Sequence, residues 1–202
     1  MSETAPPGTR RLFFAFWPDD VTRESLVRAC RKAIRGSGGR PVTAANLHVT
    51  VAFLGSVPED RLPALVDAAT GLGQVAFELC LDRIAHWPRP QVLVARCAEP
   101  PPVAAALAAA LWQRLRPLGI PPDLRPYEPH ATLARKVRRP CRDLGMRPVR
   151  WPVTELALVE SVTDPAGARY ALLARLPLDG RLPAGGPGSP PEPAPAADSP
   201  QR

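Results

Sequence analysis

Patterned cysteine is missing from this chain. Its four cysteines, Cys30, Cys80, Cys97 and Cys141, are widely spaced and form no CxxC pair. A disulfide framework and a zinc-finger-type site both lack the close spacing they need. Scattered single cysteines behave instead as small buried hydrophobes in a reducing compartment. Long apolar runs are missing as well. RLFFAFW near the start is too short for a signal h-region or a membrane span, so the expectation is a cytoplasmic chain that does not enter a membrane. P-loop, GxGxxG and nucleophile-elbow signatures are absent too, which leaves nucleotide cradles and Ser-His-Asp hydrolysis without support. Acid is in deficit: 19 Asp and Glu stand against 26 Lys and Arg, a formal charge of +7. Such a surplus favours anionic partners such as nucleic acid, or it is a basic surface without a ligand.

What is present divides the 202 residues into three parts. Residues 1–9 are small and polar and read as a flexible N-terminus. From 180 to 202 the chain is rich in Pro, Gly, Ala and Ser, and it cannot bury enough surface to offset its ordering entropy. That leaves one folded unit over 10–179. Within it, LFFAFW (12–17) reads as a strand, and Pro18-Asp19-Asp20 opens a helix carrying negative charge at its first turn. Leu26, Val27, Cys30 and Ile34 keep helical spacing there, and GSGG (36–39) ends it. NLHVTVAFLG (46–55) is a strand. Pro58-Glu59-Asp60 begins a second helix, with Leu62, Leu65, Val66, Ala69 and Leu72 on one face. Strands at 75–84 and 91–98 flank the turn HWPRP, in which His86 reads as a turn residue. A third helix over 101–118 buries Val103, Leu107, Leu111, Leu115 and Leu118. HATLARK (130–136) is a short strand, and 153–161 with 169–178 form a hairpin.

The order strand, helix, strand occurs twice, over 12–54 and again over 91–136. Each second strand is preceded by Arg-Pro and opens with His-x-Thr: His48-Val49-Thr50 and His130-Ala131-Thr132. Two of the chain's three histidines lie in this motif, so duplication is the better reading than coincidence. Strand alternation puts His48, Thr50, Ala52 and Leu54 on one face and Val49, Val51 and Phe53 on the other, toward the core. His130 and Thr132 share a face in the same way. Two duplicated lobes would then turn two imidazoles and two hydroxyls toward one cleft. One neutral ring can accept a proton while a protonated one donates, and threonine hydroxyls can hold the non-bridging oxygens of a phosphodiester. This acid–base reading needs neither a metal nor another cofactor; a metal bound by His48 and His130 would need a third protein ligand, and no carboxylate stands near. For either histidine alone, a hydrogen-bonded structural role competes with catalysis.

Downstream, RKVRRPCRDLGMRPVR (135–150) holds seven basic residues and one acid. It reads either as a solvated loop or as a contact for an RNA backbone. Arg135 is the candidate phosphate ligand, although strict alternation turns its side chain away from His130. Phe14, Phe16 and Tyr127 are candidates for base stacking, with core packing as the competing role.

RLFFAFWPDD, NLHVTVAFLG, FELCLDRIAHWPRPQVL, RPYEPHATLAR, ELALVES and ARYALLARLPL together resemble the RNA 2',3'-cyclic phosphodiesterases of the two-histidine phosphoesterase superfamily, also called 2'-5' RNA ligases. The resemblance spans about residues 10–178. It implies an α+β, bilobal fold: two pseudo-symmetric lobes with antiparallel sheets, flanked by helices, around a central cleft. It also implies metal-independent opening of RNA 2',3'-cyclic phosphate ends, or of small cyclic nucleotides, to 2'-phosphomonoesters by a monomeric protein. The same site can run in reverse as a ligase, and a non-catalytic RNA-binding module is the reading from a different class. In such proteins the first motif histidine is the proton donor and the second the acceptor, which assigns His48 and His130. Thr50, Thr132 and Arg135 match the family's phosphate-binding positions.

Overall fold

The first helix starts where Asp19 accepts a hydrogen bond from Thr22 N at 2.7 Å, satisfying one of the amides that a helix start leaves unpaired. In this computed structural model, which describes residues 8–73, 75–139, 141–164 and 167–180, that helix is α1 (Asp20–Gly36). It follows β1 (Thr9–Phe16) and leads through β2 (Arg40–Pro41) to β3 (Val49–Pro58). Then come α2 (Leu62–Ala69), β4 (Phe77–Trp87), β5 (Val92–Arg96), α3 (Pro102–Leu115) and β6 (His130–Arg135). β7 (Leu144–Val153), β8 (Glu155–Asp164) and β9 (Gly167–Pro177) complete the order. The proposed N-terminal and C-terminal tails fall outside the described residues, apart from Gly8, Thr9 and Gly180. No described helix is long and apolar enough to cross a membrane.

The strands form one antiparallel sheet in the order β7-β4-β5-β6-β3-β1-β8-β9, with β2 lying along β6. This is the expected α+β architecture, and its two halves repeat one pattern. Each half ends inward on a motif strand, β6 or β3, whose outer neighbour is the strand that began the repeat, β5 or β1. The two motif strands pair with each other at Val49 and Ala131, and β2 of the first half extends that seam along β6. The motif strands therefore do not face each other across a gap; they lie side by side at the centre of the sheet.

One sheet face is covered by the helices. Leu26 and Cys30 of α1, Leu65 of α2 and Leu107, Leu111 and Leu115 of α3 are fully buried against Leu12, Phe14, Phe16 and Leu133. Each large apolar side chain buried there contributes about 1.5–3 kcal/mol. The opposite face carries only small apolar clusters, Phe13, Ala15, Trp17, Ala157 and Val159 on one half and Ala85, Val92 and Val94 on the other. That less-covered face is where the motif side chains emerge.

Two stretches differ from expectation. The second part of the basic segment, expected as a loop, is β7, where Val149, Trp151 and Val153 are buried between outward residues. Pro148 and Pro152 are tolerated because β7 is the sheet's edge strand. Arg150 there is paired across the strands with Glu78 at 2.6 Å, so it is not free for an RNA backbone. His86 is no turn residue: β4 continues through it, opposite Leu93, and the turn is Pro88–Gln91.

Candidate active site

Both motif strands depart from simple alternation at the same place. On β3, Phe14 of β1 pairs with Ala52 and Ala15 with Thr50, so Val51 is an extra residue without a partner. On β6, Leu93 of β5 pairs with Ala134 and Val94 with Thr132, leaving Leu133 extra. Each is a β-bulge at the residue after the threonine, and a bulge flips the facing of everything beyond it. The consequence for β3 corrects the expected pattern. Ala52 and Leu54 turn into the core, and Phe53, expected inside, is 47% exposed on the histidine face. On β6 the same flip returns Arg135 to the face of His130 and Thr132, which unbroken alternation would forbid. A second unpaired residue on β3, Leu54, restores alternation farther along.

Around the Val49–Ala131 pair the antiparallel register sets His48 level with Thr132, and Thr50 level with His130. Each imidazole thus stands beside the other motif's hydroxyl. The rings are oriented identically. His48 Nδ1 lies 2.7 Å from the carbonyl oxygen of Asn46, and His130 Nδ1 lies 2.7 Å from that of Glu128. A carbonyl only accepts, so Nδ1 carries the proton in both, and each Nε2 is left with its lone pair available.

The surroundings of the two rings differ. Phe13 (4.9 Å between centroids), Trp17 (5.5 Å, stacked within 8°) and Tyr170 (5.1 Å, edge-on) enclose His48. Asn46 holds the Tyr170 hairpin in place by donating from its side-chain amide to Ala168 O at 2.8 Å. Burial lowers the His48 pKa to about 4, against the Asn46 hydrogen bond that raises it; the positive charges of Arg135 and His130 lower it further. Among the described residues, His130 has one aromatic neighbour, Trp87 at 4.3 Å between centroids. Its pKa is lowered too, again chiefly by burial, with the Glu128 carbonyl and carboxylate opposing the shift.

A cavity of about 360 Å³ opens on this face, lined by His48, Thr50, Phe53, Arg135, Arg11 and Tyr170, with Phe13 and Ser161. No carboxylate lines it. Arg11 spreads its guanidinium over the Phe53 ring at 4.7 Å, and neither Arg11 nor Arg135 has a carboxylate partner among the described residues. A larger cavity of about 390 Å³, between the start of α1 and β7, is lined by Asp19, Asp20 and Glu155. Its arginines are already engaged, Arg23 with Asp20 and Arg175 with Glu155. An anion is repelled there and attracted to the first cavity.

Of the five candidate residues, His48, Thr50 and Arg135 line that cavity together. His130 and Thr132 lie beside it on the same face, close enough for the His130 charge to act on His48. Phe14 and Phe16 are fully buried on the helix side, and Tyr127 packs against the same core with its hydroxyl buried; none can stack a base. The rings that do line the cavity are exposed Phe53 and half-buried Tyr170, which alternation concealed in one case and chain distance in the other. Among the described residues, no group of three His, Cys, Asp or Glu is placed to hold a metal ion.

Comparison with known proteins points the same way. Residues 18–94 match the model of the LigT like Phosphoesterase family. The chain is 36% identical over 126 residues to the RNA 2',3'-cyclic phosphodiesterase of Escherichia coli, covering 62% of this chain and 72% of that one. It is 33% identical over 195 residues to the enzyme of the same name from Thermus thermophilus, covering 90% and 98%. The crystal structure of E. coli LigT complexed with 3'-AMP aligns with a TM-score of 0.78 at 32% identity, covering 85% of this chain and 99% of the other.

Proposed function

The chain belongs to the LigT-like phosphoesterase family and is an enzyme of the RNA 2',3'-cyclic phosphodiesterase kind. We propose that it opens terminal 2',3'-cyclic phosphates to 2'-phosphomonoesters with its two motif histidines and without a metal ion. The observation that carries this reading is the matched pair. Two imidazoles have the same Nδ1–H anchored to a carbonyl two residues back and the same bulge after the neighbouring threonine. Binding alone does not need two proton-transfer groups held in one tautomer.

In the proposed reaction His130 Nε2 accepts a proton from a water as its oxygen attacks phosphorus. The P–O3' bond breaks, its electron pair leaves on O3', and His48 Nε2–H gives that oxygen a proton. The products are a 2'-phosphate and a 3'-hydroxyl, with His48 left neutral and His130 charged; one proton exchange with solvent restores both. Thr50 and Thr132 donate hydrogen bonds to the non-bridging oxygens, and Arg135 offsets the charge gathering there. In the free protein both rings favour the neutral form, so His48 must gain its proton as the anionic substrate arrives. The phosphate's negative charge in a carboxylate-free cavity raises its pKa in the required direction.

The test is incubation of EDTA-treated protein with cytidine 2',3'-cyclic phosphate and with an oligoribonucleotide ending in the same group, followed by phosphorus NMR. Undiminished ring opening to the 2'-phosphate is expected. Exclusive 3'-phosphate, no product, or activity that returns only with added metal overturns the proposal.

A further inference from the structure

Each motif lies in a basic stretch free of acid. Residues 25–58 contain no Asp or Glu and five Lys or Arg, and residues 129–142 repeat that composition. The fold presses these stretches together. β2 runs antiparallel to β6 with Arg40 directly opposite Arg135 and Pro41 opposite Ala134. Val42 N donates to Leu133 O at 2.9 Å, and the amides of Arg138 and Arg139 both donate to Ser37 O. Gly39 makes the approach feasible: a Cβ there would stand 2.9 Å from Arg135 O and 3.0 Å from Val137 Cγ2.

Residues directly opposite in an antiparallel pair project from the same face, with Cβ atoms about 4.5–5.5 Å apart. Arg40 therefore emerges beside Arg135, on the face that carries the cavity and along the same edge of β6 that β3 occupies. Both side chains are exposed, and neither has an acidic partner among the described residues. Like charges set opposite each other are unfavourable unless an anion lies between or above them. The cyclic phosphate cannot be that anion for both, because Arg40 is not among the residues lining the cavity while Arg135 is.

Building on the proposed function, we propose that Arg40, with Arg135, seats the internal phosphodiester of an RNA strand just upstream of its terminal nucleotide. The site then selects an RNA end over a free cyclic nucleotide. Arg138 and Arg139, exposed where the α1–β2 connection meets the end of β6, continue the positive rim away from the chemical site. A single strand laid along it exchanges bound counterions for guanidinium groups, so its affinity falls as salt rises.

The experiment compares cytidine 2',3'-cyclic phosphate with a short oligoribonucleotide bearing that end, for the wild type, Arg40→Ala and Arg40→Lys. Arg40→Ala is expected to lower the oligonucleotide-to-mononucleotide ratio of kcat/KM about tenfold, the loss of one charge-assisted contact, mainly through KM. The lysine variant recovers part of that ratio. The salt slope for the oligonucleotide becomes shallower by about 0.7, one single-strand phosphate contact. An unchanged ratio, or an equal loss on both substrates, overturns the seat. Anisotropy of a fluorescein-labelled oligoribonucleotide ending in a 2'-phosphate reads the same contact without turnover. If the wild type opens neither cyclic substrate, the proposed function fails, yet an unchanged Kd for Arg40→Ala still decides separately against the Arg40 seat.

Discussion

His48 and His130 occupy equivalent places in two halves of one sheet, and their backbones treat them alike. Each begins His-x-Thr, each gives its Nδ1–H to the carbonyl two residues back, and each is followed by a bulge after the threonine. The side chains around them diverge. Three rings close over His48 and one touches His130; five residues past the histidine stands an exposed phenyl in one half and a guanidinium in the other. What the duplication keeps is the tautomer and the reach of Nε2. What it lets vary is solvation and charge, the two quantities that separate an acid from a base.

The comparison is broken most severely by removing either ring. His48→Ala and His130→Ala should each lower kcat by about 10²–10⁴-fold, the scale of general acid–base catalysis, with unchanged circular dichroism. Near-normal turnover in either would mean that the halves are not partners. Next in size is Arg135→Met against Phe53→Met. The first removes the cavity's charge next to the motif and should cost about tenfold to a hundredfold in kcat/KM, as measured by steady-state kinetics. The second should alter KM more than kcat, because a ring carries no charge to the phosphate. Equal effects would erase the distinction between the halves.

Acid sensitivity separates the rings by burial. Folding lowers the His48 pKa from 6.5 to about 4, so the unfolded chain binds that proton more readily. Its contribution to stability is fully present above about pH 6.5 and is lost as pH falls toward 4, roughly 3 kcal/mol at most. Melting temperatures between pH 7 and 4 should fall less steeply in His48→Gln than in the wild type, and the corresponding His130 variant should change the slope less. The smallest effect is one of shape. With both rings depressed, kcat/KM should follow a bell with its maximum below pH 6.5, since one ring must be protonated and the other not. A plateau extending through pH 8 would contradict that requirement.

That the two motifs come together was legible in the sequence because His-x-Thr is short, local and repeated, and the helices because their apolar spacing is unbroken from Leu107 to Leu115. The bulges at Val51 and Leu133 were not, because nothing in the residue types marks an extra residue in a strand. One such residue reversed the facing of Phe53 and removed the apparent objection to Arg135. β7 was hidden by Pro148, Pro152 and its arginines, which resemble a loop until the strand's edge position is known. Tyr170 reaches His48 from a hairpin late in the chain, a contact that depends on topology rather than on any local pattern.

The division of labour between the two rings is tested most directly by the leaving group. A 4-nitrophenyl phosphodiester departs without needing a proton, whereas the ribose oxygen of a cyclic phosphate needs one. Each histidine-to-alanine variant should be assayed on both substrates. His48→Ala should recover about a hundredfold relative to its loss on the cyclic phosphate, as expected when the acid becomes dispensable, and His130→Ala should remain equally impaired on both. Recovery by His130→Ala instead, or by neither variant, would contradict His48 as the proton donor.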